Sequence, residues 1–274
     1  KTIGTNHTIN AVGGYSYQYG VSENFNASNY GFVNDIFQEN NIGAGSQLIA
    51  GKATMGSGKG DNTLVAFFGR ANYSFMDKYM ASFILRREGS SRFGANNKWG
   101  NFPAASVGWN ISKEQFMENL TFIDNLKLRA GFGVTGNQDI ANYSSLVTME
   151  TGGVYINPDG QWRQTYGPNK NPNPNLKWER KKEYNIGADF SVLNKRLSGS
   201  LDVFKRVTND LLYNYTSQLP PFVRETIYTN VGSISNKGVE LYLNAVPVKT
   251  NDFTWSIDAT GSFITNKADN LSND

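Results

Sequence analysis

The segment RREGSSRFGANNKWGNFPAASVGW, residues 86–109, gathers groups with which proteins hold anions: Arg86, Arg87, Arg92 and Lys98, with glycines at 89, 94 and 100. A phosphate-cradling loop needs G-x-x-x-x-G-K-[ST] between a strand and a helix, because the helix N-terminus shares in holding the anion. Gly89 and Gly94 have the spacing, but Ala95 and Asn96 stand where Lys and Ser or Thr are required. The pattern that follows is a strand. The segment reads as a loop between two strands, with any role of Arg87, Arg92 or Lys98 toward a ligand left open.

Other chemistry is sparse. His7 is the single histidine and there is no cysteine, so a His-based metal site, a Ser-His-Asp triad and a thiolate site all lack partners. Glu88, Glu179, Glu183, Asp189, Asp202, Glu240 and Asp258 fall mostly on polar strand faces, beside Lys127, Arg129 and Arg206. Two carboxylates at the right separation would make a glycosidase pair, yet spacing along strands fixes no such distance. Hydrated inward-facing charges are the simpler reading. Asp159-Gly160 is a turn signal, not a calcium loop. No catalytic, cofactor or metal residue is expected, and the chain reads as non-enzymatic.

One loop stands out. Residues 135–182 carry Tyr155, Trp162, Arg163, Tyr166 and Trp178 among asparagines and prolines. Aromatic rings and amides in an exposed loop stack on and hydrogen-bond sugars or peptides. Tyr155, Trp162, Arg163 and Tyr166 are the candidate substrate-binding residues. Packing against neighbouring loops or a partner protein explains them equally well.

The elements that position these residues are strands. Period-two patterning predicts nine, at 8–19, 64–75, 79–88, 102–111, 126–134, 183–192, 197–207, 239–247 and 253–264. Most are long enough to cross a membrane when tilted, which takes about 9–11 residues, against about 5–6 in a typical globular strand. Along 126–134, Leu126, Leu128, Ala130, Phe132 and Val134 oppose Lys127, Arg129, Gly131 and Gly133. Along 197–206 Phe204 breaks the alternation. The gaps alternate long and short: 20–63, 76–78, 89–101, 112–125, 135–182, 193–196, 208–238 and 248–252. Strands running up and down then put the long loops at one rim and the compact turns at the other, as in an outer-membrane barrel. Ser112–Asn119 is the best helix, with Ser112 as N-cap and Gln115 in the capping-box position. Tyr73, Phe75, Tyr79, Trp109, Phe190, Phe253 and Trp255 lie near the short turns on apolar faces and predict an aromatic girdle. A net charge of +3 gives no argument for nucleic acid. The fold class is all-β, a transmembrane antiparallel barrel wall. The alternative is a soluble extracellular carbohydrate-binding β-domain, a sandwich or propeller-like module.

Several segments together resemble the SusC/RagA family of TonB-dependent outer-membrane transporters. They are GKGDNTLVAFFGRANYSFMDKYMASFILRREGSSRFGANNKWGNFPAASVGWNISKEQFM, LKLRAGFGVTGNQDIANY, NPNLKWERKKEYNIGADF, RLSGSLDVFKRVTNDLL and NVGSISNKGVELYLNAV. They occur in the expected order and cover most of residues 58–245. The resemblance implies a 22-stranded barrel of the bacterial outer membrane, in contact with its lipid and filled by an N-terminal plug. It implies a SusD-like surface lipoprotein as lid, energy delivered by TonB, no cofactor, and oligosaccharide or peptide as cargo. Residues 1–274 contain no plug-like or signal-like segment and end at NLSND. They are therefore expected to be an internal piece, about nine strands, of a longer barrel, to which no transport function belongs in isolation.

Overall fold

The computed structural model describes residues 2–3, 6–38 and 40–271. The tail residues 272–274, part of NLSND, lie outside the described residues. Two compact units are distinguished, residues 1–17 with 64–274, and residues 18–63.

One antiparallel sheet takes in β1 (Thr2–Ile3), β2 (His7–Ser28), β3 (Thr54–Phe75), β4 (Tyr79–Ser90), β5 (Trp99–Asn110) and β6 (Ile123–Asn137). After a two-stranded hairpin, β7 (Met149–Ile156) with β8 (Trp162–Pro168), it continues through β9 (Glu179–Val192) and β10 (Leu197–Asn209). A second hairpin, β11 (Leu212–Thr216) with β12 (Thr226–Asn230), precedes β13 (Ser233–Lys249) and β14 (Thr254–Asn270). Each of the nine predicted strands corresponds to one long strand, and sequential long strands are neighbours throughout. β14 lies at one edge, so within this chain the sheet is open.

Alternation gives the sheet two unlike faces. The row Tyr73, Ala81, Val107, Ala130, Ile186, Val203, Val239 and Phe263 is paired strand to strand and apolar throughout. Its larger members lie open, Ile186 at 67% and Phe263 at 74% exposure. The next row, Ser74, Met80, Gly108, Arg129, Gly187, Asp202, Glu240 and Ser262, faces the other way. A soluble sandwich would need a second sheet over the apolar face. Among the described residues the other sheets are the two small hairpins, of strands no longer than eight residues, too short to cover it. The exposed face is one that lipid covers.

The register also shears. The straight row that begins at Phe75 and Tyr79, which flank a tight turn, passes through Trp109 and Leu128 and reaches Leu241 and Gly261 well inside their strands. A stagger of this kind, about one residue per strand, tilts strands by the roughly 35–45° of a closed barrel.

Phe75, Tyr79 and Trp109 stack in succession, with ring centroids 6.3 and 6.5 Å apart. His7 joins them, 4.8 Å from Phe75 and hydrogen-bonded to the Tyr73 hydroxyl. A second aromatic group, not anticipated from the sequence, lies at the long-loop end, where Tyr15, Phe67 and Trp99 adjoin and the Arg87 guanidinium covers Trp99. Trp99 and Trp109 stand at the two ends of β5, a strand of 12 residues. At about 3.3 Å per residue and about 40° tilt the interval matches an apolar band about 25 Å tall. Both indoles should therefore sit at interfaces. In single-tryptophan variants of the full-length protein, headgroup-level quenchers are expected to quench Trp99 and Trp109 more than mid-chain brominated lipids do, and the measurement is steady-state fluorescence in liposomes.

The connections differ from expectation at several points. The gap 20–63 is largely strand, because β2 and β3 form a long ribbon, and only 29–53 is loop. Within the unit 18–63, Lys59 pairs with Glu23 at 2.6 Å, and Asn29 donates to the carbonyls of Ile42 and Gly45. The predicted helix at Ser112–Asn119 is instead two 3-10 turns, Ile111–Lys113 and Gln115–Met117, with no side-chain cap on either. The Ser112 hydroxyl is spent on Asn110, and Glu114 points elsewhere. The loop predicted at 89–101 shortens to 91–98, since β4 and β5 run further. Pro103 pairs with Leu85, while on its other side the ladder to β6 begins one residue later, at Ala104. Its missing N–H therefore costs no ladder bond.

Candidate functional site

The polar face carries organised charge. Arg129 makes a two-point bond to Asp189 at 2.8 and 2.9 Å and reaches Asp202 at 3.0 Å. The residue between them across the strands is Gly187, and a Cβ there would lie 2.4 Å from the Asp202 carboxylate. Glycine is thus what lets the guanidinium span two strands. Both carboxylates are committed to one arginine, so these two are not free to work as an acid–base pair. Arg206 lies 3.1 Å from Glu183 and 4.0 Å above the Phe204 ring. That explains the break in alternation. Phe204, 3% exposed, lies flat over Gly238, where a Cβ would be 2.9 Å from the ring. An aromatic over a glycine on the next strand protects the ladder without presenting apolar surface to water. Among the described residues no three potential ligands form a metal-binding group.

At the long-loop rim the connections and the upper ends of β5 and β6 bury a small core: Phe93, Phe102, Val134, Ile140, Leu176 and Trp178. Trp178, read from sequence as an exposed loop aromatic, is 3% exposed and donates its indole N–H to the Lys98 carbonyl. The glycines of the opening motif serve this packing. Gly94 meets the 172–178 segment so closely that a Cβ would fall 2.1 Å from the Pro174 carbonyl oxygen. Arg92 is likewise structural, bonded to Asn142 and to the Gln138 carbonyl.

Three asparagines that sequence reasoning missed fasten the rim. Asn171 donates to the carbonyls of Arg224 and Thr226 and accepts from the backbone N–H of Val223 and Arg224. Asn173 donates to the Tyr228 carbonyl. Asn230 donates to the Lys177 and Asp210 carbonyls and accepts from the Lys177 N–H. Arg224 bonds Glu150 and the Pro168 carbonyl, tying the β11–β12 hairpin to β7–β8. The one available signal was the run NKNPNPN.

The four candidate substrate residues all lie on the β7–β8 hairpin but divide between its faces. Trp162 pairs with Ile156, and Tyr166 lies on the same face of β8. Tyr155 pairs with Arg163 on the opposite face. Trp162 is 66% and Tyr166 69% exposed. Arg163 reaches the Asp159 carboxylate at 3.4 Å. The Gln161 backbone N–H, then Asn157 and Arg163, hold that carboxyl below its usual range.

At the compact-turn end Glu114 collects the girdle. Its carboxylate accepts from the Tyr79 hydroxyl at 2.6 Å, the Trp109 indole at 3.0 Å and Lys78 at 3.3 Å. These bonds, the Tyr79 hydroxyl first, hold its carboxyl below its ordinary value. A lowered folded pKa means the contribution is present above the unfolded value, about 4.3, and is lost as pH falls through the folded one. Full-length protein carrying Glu114→Gln is expected to melt lower than wild type at pH 7, with the difference closing toward pH 3. Melting curves at several pH values check it.

Comparison with known proteins places this geometry. The family model described as "TonB dependent receptor-like, beta-barrel" matches residues 1–274. The TonB-dependent receptor SusC of Bacteroides thetaiotaomicron is 39% identical over 198 residues, 72% of this chain and 20% of that protein. The TonB-dependent receptor P39 of Formosa agariphila is 35% identical over 271 residues, 97% of this chain and 25% of that protein. The RagAB peptide importer in its open-open state superposes with a TM-score of 0.86 at 26% identity, over 99% of this chain and 29% of that one. The chain thus spans about a quarter of the length of these relatives, which are named receptors and importers and not enzymes. The open sheet, its lipid-facing apolar band and its looped rim are wall of an outer-membrane barrel, and the chain belongs to the TonB-dependent receptor family, in its SusC/RagA branch.

Proposed function

We propose that this chain is an internal segment of the barrel of a longer importer, which takes up oligosaccharide or peptide across the outer membrane. A SusD-like lipoprotein closes it from outside, and TonB drives it through a plug. The observation that carries the reading is the joint likeness to SusC in sequence, over 72% of the chain, and to the RagAB peptide importer in structure, over 99% of it. The wall supplies a polar face on which Arg129 is paired with Asp189 and Asp202, and Arg206 with Glu183, suited to passing cargo rather than trapping an ion. The rim supplies cargo contacts: Trp162 and Tyr166 as stacking surfaces on one face of the β7–β8 hairpin, Tyr155 and Arg163 on the other.

The test is growth of a deletion strain, complemented with the full-length gene, on single defined glycans or peptides as limiting nutrient. Wild type restores growth on its cargo, and Trp162→Ala with Tyr166→Ala raises the cargo concentration needed for half-maximal growth by about tenfold, the loss of roughly one stacking interaction. Restoration on no glycan or peptide, or growth that survives deletion of TonB, overturns the reading.

A further inference from the structure

The lipid-facing surface carries a basic cluster that import does not use. Lys205 on β10 and Lys237 on β13 are direct cross-strand partners. They share a face with Val203 and Val239, since Phe204 and Gly238 between them point to the polar side. Lys182 on β9 is a diagonal neighbour of Lys205, because its partner is Val207. Lys267 on β14 is a diagonal neighbour of Lys237, because its partner is Ser235. All four are exposed. Lys267 has one acidic neighbour, Asp269 at 3.6 Å on its own strand. Among the described residues Lys182, Lys205 and Lys237 take part in no ion pair with a carboxylate.

Like charges directly opposite in an antiparallel pair destabilise it. Four adjacent strands carrying one lysine each on the same outward face compound that repulsion. The level of the cluster indicates what offsets it. With the register shear, Lys182, Lys205, Lys237 and Lys267 fall close to the height that Trp99 marks at the external end of the apolar band, just above Ile186, Val203 and Phe263. Anionic headgroups of the outer leaflet lie at that depth, and lysine stems run up the apolar surface toward them. Tyr184, paired with Lys205 and 51% exposed, closes one side with a ring suited to the interface.

We propose that Lys182, Lys205, Lys237 and Lys267 form an external-leaflet site for a phosphate-bearing lipid headgroup, held across β9, β10, β13 and β14. The phosphate bridges Lys205 and Lys237, and the acyl chains run down the apolar band beneath. The occupant is a lipid rather than free phosphate, because the lysines rise directly from a surface that acyl chains cover.

The full-length protein, purified in mild detergent, tests this by native mass spectrometry and melting curves with three additives: a phosphorylated outer-membrane glycolipid, zwitterionic phosphatidylethanolamine and inorganic phosphate. Wild type is expected to retain the phosphorylated glycolipid and to melt higher with it than with either other additive. K205Q/K237Q is expected to lose at least tenfold in glycolipid retention and to melt no lower than wild type when lipid is absent, since repulsion is removed. K205R/K237R, which keeps the charge, retains the lipid, and single K205Q serves if the double variant assembles poorly. Equal retention by wild type and K205Q/K237Q overturns the site. Equal stabilisation by phosphatidylethanolamine overturns its charge selectivity, and equal stabilisation by inorganic phosphate overturns the lipid assignment. Cargo uptake is unchanged in these variants, so the outcome is separate from that of the import assay.

Discussion

Trp178→Ala is expected to destabilise the rim by about 3–5 kcal/mol, the range for removing a large buried aromatic. The indole is almost wholly buried, 4.6 Å from Phe93 and 5.2 Å from Phe102 between ring centroids, and its N–H satisfies the Lys98 carbonyl. Truncation leaves a cavity in a core of few side chains, so 91–98 is held against 172–178 mainly by the hydrogen bonds of Gly94, Asn96 and Asn97. The barrel wall below is held by its own strand ladders. The loss should therefore appear as local opening. Limited proteolysis of the full-length variant should cut within 135–178 while the heat-resistant barrel band persists. Trp162→Ala, by contrast, removes an exposed ring, should change stability by less than about 0.5 kcal/mol, and should leave proteolysis unaltered. If both variants are cut alike, the rim core does not order the loops.

The two tryptophans show what was legible in the sequence. Both lie in one asparagine- and proline-rich stretch, and residue type alone assigns them the same role. Burial separates them, and burial of Trp178 is decided by Phe93 and Phe102, which the chain brings from far away. The wall was legible because its determinants are local: a lipid-facing residue and its neighbour differ in polarity at period two, so Leu126 to Phe132 announce their faces, whereas Val134 at the upper end of the strand is taken into the rim core. Strand ends were less legible. Trp99 was assigned to a loop because Gly100 and Asn101 interrupt the pattern, and with it the second girdle was missed. Phe204 broke the pattern because a glycine on the adjacent strand, Gly238, makes room for its ring, and single-strand periodicity does not register that pairing. The asparagine fasteners were illegible for the same reason, since Asn171 and Asn230 bond backbone more than fifty residues along the chain.

Arginine substitutions on the apolar face are expected to be graded by depth. Ile186 lies about halfway between the levels of Trp109 and Trp99, in the all-apolar row and open to lipid. Ile186→Arg puts a charge at the bilayer midplane, at about 2–4 kcal/mol. Leu128 pairs directly with Trp109, close to the girdle, so Leu128→Arg lets the guanidinium reach the headgroups and costs about 0–1 kcal/mol. Lys127, the neighbour of Leu128 on the same strand, faces the lumen and bears no ion pair among the described residues, so Lys127→Ala stays within about 0.5 kcal/mol. Refolding of the full-length variants into liposomes, read by heat-modifiable gel mobility across a denaturant series, gives the ordering. Ile186→Arg should fall well below Leu128→Arg, and Lys127→Ala should match wild type. A lumen-facing Ile186 would tolerate arginine at least as well as Leu128 does, and that result would reverse the assignment of the two faces. The same result would take the lysine cluster off the lipid-facing surface, because Lys205 and Lys237 share a face with Ile186 through Val203 and Val239. One substitution at the midplane thus tests the orientation on which both the lumen path and the headgroup site depend.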